Sequence, residues 1–171
     1  FLSICQFLKN IMAGNLQDAI LLSGGFQHLT NLNLDDPLSL KITYYSKNSV
    51  DRTDSSEPIQ IQHIQSVYEF ELQIQHNNRF KILKDYFQAS YAFFVLDSDL
   101  SQEPKKLVDI DTIYDVSDGL LTAKHTAPPE WYHLAQQVFA LVVSDKKPIQ
   151  LSQNNLFMST PYFALAQHSD W

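Results

Sequence analysis

Residues 59–75 read IQIQHIQSVYEFELQIQ. Side chains along a strand point alternately to its two faces. Ile59 and Ile61 put apolar groups on odd positions, whereas Tyr68, Phe70, Leu72 and Ile74 put them on even ones, with Glu69, Glu71, Gln73 and Gln75 between. A regular strand cannot bring both sets to one face. The change of parity therefore predicts a bulge, bend or break near residues 62–67 of an antiparallel sheet with one covered face.

On the C-terminal side, His76-Asn77-Asn78-Arg79 supplies a turn, because Asn tolerates positive φ. A strand carrying Phe80 and Ile82 is expected next. YAFFVL, residues 91–96, is apolar at every position and reads as a central strand covered on both sides. A polar turn around Ser101–Lys106 leads to another strand, with Val108, Ile110, Thr112 and Tyr114 facing one way and Asp109, Asp111 and Asp115 the other. Pro128 and Pro129 suit the first turn of a helix over 128–143, with Trp131, Leu134, Ala135, Val138 and Val142 on one stripe. The tail LFMSTPYFALAQHSDW, residues 156–171, is too apolar to stay in water and is expected to dock on the body.

On the N-terminal side, SKNSVDRTDSSEP, residues 46–58, reads as a polar loop, and Leu40, Ile42 and Tyr44 as the covered side of a strand. Residues 26–37 read as loop. Ile4, Leu8, Ile11 and Met12 recur at helical spacing, with Cys5 beside them and expected in the core. Gly14 ends that helix. Asn15 then caps a second one, with Asp18 three residues on, and Ala19, Ile20 and Leu22 carry it to Gly24-Gly25. The expected fold is one α+β domain over residues 1–171. It comprises an N-terminal helical hairpin, an antiparallel sheet of about four to six strands, one C-terminal amphipathic helix and a docked tail.

Composition narrows the function. Apolar residues are 44% of the 171 and charged residues 18%, the reverse of the balance that keeps a chain disordered. The net charge is −7, and only Arg52 and Arg79 among the twelve basic residues are arginines. No basic stripe is available to neutralise phosphates, which argues against nucleic acid. An acidic surface suits a soluble protein and a basic protein partner. No apolar run reaches the ~18 residues of a membrane span. The single Cys5 excludes an intrachain disulfide. The chain opens on Phe1 rather than Met, so an upstream signal or anchor is left open, as is the choice of cytoplasm or periplasm.

Metal chemistry has one candidate. Asp97-Ser-Asp99 follows YAFFVL directly and Asp109-Ile-Asp111 comes about ten residues later, so a hairpin of those strands would bring four carboxylates together for a divalent cation such as Mg²⁺ or Ca²⁺. The short motif resembles the Asp-x-Asp of nucleotide-sugar glycosyltransferases and of haloacid-dehalogenase phosphatases. Pro104 and the short spacing leave no room for the crossover helix those scaffolds need. The plainer reading is an acidic strand edge that discourages aggregation. His28, His63, His76, His125, His133 and His168 form no ligand pattern, though His63 lies where the parity changes, and bulges occur beside active sites. The aromatic residues, Tyr44, Tyr68, Phe87, Phe93 and Tyr114 among them, either fill the core or line a pocket under a curved sheet.

ICQFLKNIMAGNLQDAILLS, residues 4–23, resembles the opening helical hairpin of NTF2-like (nuclear transport factor 2-like) domains. The resemblance implies a bent antiparallel sheet wrapped around helices into a cone with a pocket, and it carries no catalytic residue to this chain. The helix expected at 128–143 comes where that family usually has strands. These readings favour a non-catalytic interaction or ligand-binding module with an acidic surface, of immunity, chaperone or accessory type, with a protein partner and no resident cofactor. A homodimer is compatible with them. The alternative is a small metal-assisted hydrolase or lyase using Asp97, Asp99, Asp109 and Asp111.

Overall fold

Two long strands dominate the computed structural model, which describes residues 2–25, 37–46, 48–52, 58–75, 79–96, 104–132, 135, 147–152 and 155–163. The helical hairpin comes first. Helix α1, Leu2–Ala13, and helix α2, Leu16–Leu22, are joined across Gly14-Asn15. Asn15 caps α2: its side-chain oxygen accepts the Asp18 N–H at 2.9 Å. Gly25, at φ +82°, donates its N–H to the Ile20 carbonyl at 2.9 Å and closes the hairpin in the left-handed conformation that a residue with a Cβ resists.

The strands are β1 Leu38–Tyr45, β2 Ser49–Arg52, β3 Ile59–Gln75, β4 Arg79–Val95, β5 Lys105–Ser117, β6 Leu120–Thr126 and β7 Ile149–Gln150. They form one seven-stranded sheet in the order β1-β3-β4-β5-β6-β7, with β2 also beside β3. Every pairing is antiparallel. The sheet is larger than the four to six strands expected. One extra strand is β2, inside the stretch expected to be loop: Val50 pairs with Ile61 and holds Ser49–Arg52 on the ladder in spite of polar neighbours. Another difference is β4, which runs unbroken through the two segments expected to be separate strands.

The parity change is resolved as a bulge. His63 pairs with Tyr91 and Gln65 with Ser90, so Ile64 is the extra residue on β3. Ile59 and Ile61 before it, and Tyr68, Phe70 and Leu72 after it, all bury on the same core. A second irregularity leaves Leu83 extra on β4, and a third leaves Leu107 extra on β5. Each resets side-chain parity and increases local twist. Between β5 and β6, Asp118 at φ +51° and Gly119 at φ +77° make a two-residue hairpin turn with both central residues left-handed. Asp-Gly is the dipeptide that this turn selects.

One face of the sheet, called inner below, packs against Phe7, Ile11, Leu16, Ala19 and Ile20 of the hairpin and Leu156, Phe157, Met158 and Phe163 of the tail. The tail expected to dock does so as far as it is described, with a 3-10 turn at Phe157–Ser159 that touches α1. The inward stripe of α1 differs from expectation. Phe7 and Ile11 are buried, Ile4 and Met12 are exposed, and Cys5 is exposed rather than in the core. Phe7, one turn before Ile11, sets which face turns inward, and Cys5 lies off it. Leu22 is likewise exposed, and Leu16 takes the buried place on α2. Of the helix expected over 128–143, Pro129–Trp131 form a 3-10 turn and Tyr132 and Ala135 are helical, while residues 133, 134 and 136–146 lie outside the described residues.

Candidate functional site

Register places the inner-face residues in rows across the strands. One row runs Tyr68, Phe87, Tyr114, Ala123. Another runs Tyr44, Ser66, Ala89, Thr112, His125, and the row beyond the bulge runs His63, Tyr91, Ile110. The aromatic row and the polar rows beside it are called the aromatic end and the polar end of the inner face below; past the polar rows Ile61, Phe93 and Val108 make a further buried apolar row.

At the aromatic end the rings of Tyr68, Phe87, Tyr114, Phe157 and Phe163 pack together, with Tyr114 and Phe157 stacked at 5.1 Å between centroids and Phe87 and Phe163 edge-on at 5.2 Å. Under them sits Asp85, only 1% exposed. Its Oδ1 accepts the Tyr68 hydroxyl at 2.6 Å and its Oδ2 accepts the Phe157 N–H at 2.6 Å. The Tyr68 oxygen accepts the Met158 N–H at 3.4 Å. Burial raises the Asp85 pKa to about 6, against the lowering influence of those two donors. Burial, with the Asp85 charge beside it, likewise drives Tyr68 well above the usual phenol range. Asp85 thus fastens the tail to the centre of the sheet. It is fully enclosed and hydrogen-bonded, so its chemistry is spent on packing.

The polar end is more open. Ordinarily residues i and i+3 of a strand point to opposite faces. The extra residue Ile64 cancels that offset, so His63 and Ser66 share the inner face and His63 Nε2 lies 2.8 Å from Ser66 Oγ. The same residue marks the place where the neighbour of β3 changes from β1 to β2: Ser46 donates its N–H to the Ile64 carbonyl at 3.2 Å and His63 donates its own to the Asn48 carbonyl at 3.0 Å. The His63 ring lies edge-on to Tyr91 at 5.4 Å and tilted beside Tyr44 at 5.9 Å. Tyr44 is 58% exposed while Tyr91 is 6% exposed, so the cluster runs from solvent into the core. Burial lowers the His63 pKa and keeps the imidazole neutral near pH 7. Farther in, Thr112 Oγ1 is 3.1 Å from His125 Nδ1.

Among the candidates read from sequence, Asp109 and Asp111 stand on the opposite, outer face of β5, across from Ala92 and Ser90 of β4. Asp109 takes Lys106 Nζ at 2.7 Å. Asp97 and Asp99 lie outside the described residues, as do His28, His76, His133 and His168. Among the described residues no group of three or more His, Cys, Asp or Glu has the geometry to hold a metal ion. The outer face carries both signs. Register sets Lys41 opposite Glu69, and Lys84 Nζ meets Glu69 at 3.0 Å. No helix of the described residues is long and apolar enough to cross a membrane.

Sequence reading missed Asp85, Ser66 and the Thr112–His125 pair. Asp85 is flanked by Phe80, Ile82, Phe87 and Ala89, which was a usable signal of an acid in an apolar strand. Ser66 had none, because its face depends on where the bulge falls. Neither a protein-family model, nor a curated protein, nor a solved structure matches the chain.

Proposed function

We propose that this chain is a non-catalytic binding module that takes a small planar ligand at the polar end of the inner face. The observation that carries the reading is the His63–Ser66 pair beside the exposed ring of Tyr44. Neutral imidazole has one N–H and one bare nitrogen. If Nε2 holds the proton it donates to Ser66 Oγ, leaving the serine O–H as donor and Nδ1 as acceptor. If Nδ1 holds it, the serine donates to Nε2, leaving Nδ1–H as donor and the serine lone pairs as acceptor. Either tautomer offers one donor and one acceptor next to an aromatic face. That pattern suits a neutral heteroaromatic ring bearing an amide. The cluster contains no Lys or Arg, so a phosphate gains nothing there.

The NTF2-like resemblance belongs to the same proposal. A helical hairpin ahead of an antiparallel sheet with bulged central strands supports it, and the resemblance implies a pocket inside the sheet. Mixed charge on the outer face gives the version with an acidic surface and a basic partner less to stand on than the polar cluster gives the ligand version.

Nicotinamide serves as the probe. Titrating it while following the ring nitrogens of His63 by NMR should give saturable shifts, and Ser66→Ala should weaken binding roughly 2- to 12-fold, the worth of one neutral hydrogen bond. Shifts that never saturate, or that are unchanged by Ser66→Ala, defeat the reading.

A further inference from the structure

We propose that two copies of this chain pair edge to edge along β1, antiparallel, across a two-fold axis through Ile42. β1 ends the sheet, and among the described residues no strand occupies its outer side. Exposed edges are normally blunted by proline, by bulges or by charged side chains, lysine above all. β1, LSLKITYY, has no proline, pairs with β3 without a register break and carries one charge, Lys41, which register sets opposite Glu69. On the opposite edge β7 pairs with Leu120 and Leu121 alone, and the remainder of β6, Thr122–Thr126, is shorter than the eight residues of β1.

The register follows from symmetry and charge. Residues directly opposite in an antiparallel pair point to the same face, so a two-fold axis that keeps both inner faces on one side must pass through a residue, not between two. Full overlap of β1 leaves Lys41 or Ile42. An axis at Lys41 sets the two ammonium groups against each other, which is unfavourable. An axis at Ile42 sets Lys41 opposite Thr43, Leu40 opposite Tyr44 and Ser39 opposite Tyr45. It thereby gives Tyr44 and Tyr45, 58% and 71% exposed, a neighbour each. The pairing borders the proposed ligand site at Tyr44 but does not depend on it.

Thr43 is exposed, so charge changes there leave the monomer intact, whereas Lys41→Glu sets a second acid opposite Glu69 and its double variant is compared at a temperature where circular dichroism shows it folded. Sedimentation velocity across the micromolar range should show a monomer–dimer equilibrium. Thr43→Glu meets Lys41 twice by symmetry and should tighten the dimer roughly 2- to 30-fold. Thr43→Lys should loosen it by a similar factor, and Lys41→Glu combined with Thr43→Lys should restore it. A protein that stays monomeric at every concentration overturns the proposal. So does a dimer indifferent to the sign of charge at position 43. Nicotinamide binding by a monomer would leave the ligand site standing while removing the pairing.

Discussion

The two ends of the inner face are built from the same strands and behave oppositely. At the Asp85 end an acid is sealed under five rings and held by the Tyr68 hydroxyl and one tail donor, the Phe157 N–H. At the His63 end an imidazole is half covered and shares its face with a hydroxyl and a solvent-exposed tyrosine. Burial disfavours the charged form of each. It therefore raises the pKa of the acid and lowers that of the base. Closure makes the first end a fastening for the tail, and openness leaves the second reachable from solvent.

The most damaging way to break this contrast is to remove a ring from the sealed end. Phe157→Ala empties a fully buried position and withdraws a ring stacked on Tyr114. Urea denaturation should show a loss of about 3–5 kcal/mol. A loss below ~1 kcal/mol would mean that the tail is not part of the core.

A gentler test uses pH. Asp85 has its folded pKa raised to about 6, so the folded state takes up its proton before the unfolded state does. The stability linked to this group is fully present below roughly pH 4 and is lost as pH rises through about 6. Acidifying from neutral should therefore add up to about 3 kcal/mol through Asp85, and Asp85→Asn should remove that gain. His63 works the other way. Its folded pKa is lowered, so its contribution is present above the ordinary histidine value and is lost as pH falls through the folded one. His63→Phe should steepen the net gain on acidification. Variants with identical pH profiles would dissolve the distinction between the ends.

The smallest effect is expected away from both ends. Cys5 is exposed on α1, so Cys5→Ser should change stability by less than about 0.5 kcal/mol, and the native thiol should react at once with a thiol reagent. A slow reaction would return Cys5 to the core.

Much of this was legible beforehand where the cause is local. The Asn15 cap and the glycine stop of α2 depend on neighbours within a few residues. The bulge on β3 was legible because strand parity is a property of one segment. The Asp118-Gly119 turn was equally legible and went unread. The helix stripe misled because α1 has apolar residues on two sides, and periodicity alone does not choose between Phe7–Ile11 and Ile4–Met12. The candidate site was largely illegible, because Ser66 meets His63 only once the extra residue is placed.

An α+β chain with strands of known parity, a capped helical hairpin and a tail too apolar for water can be read from the residues alone. That Asp85 lies inside, that Phe157 reaches it from far along the chain, and that β1 forms one edge of the sheet follow from the assembled fold. Periodicity is set by backbone geometry one residue at a time. Burial and edge position are set by which distant segments come together.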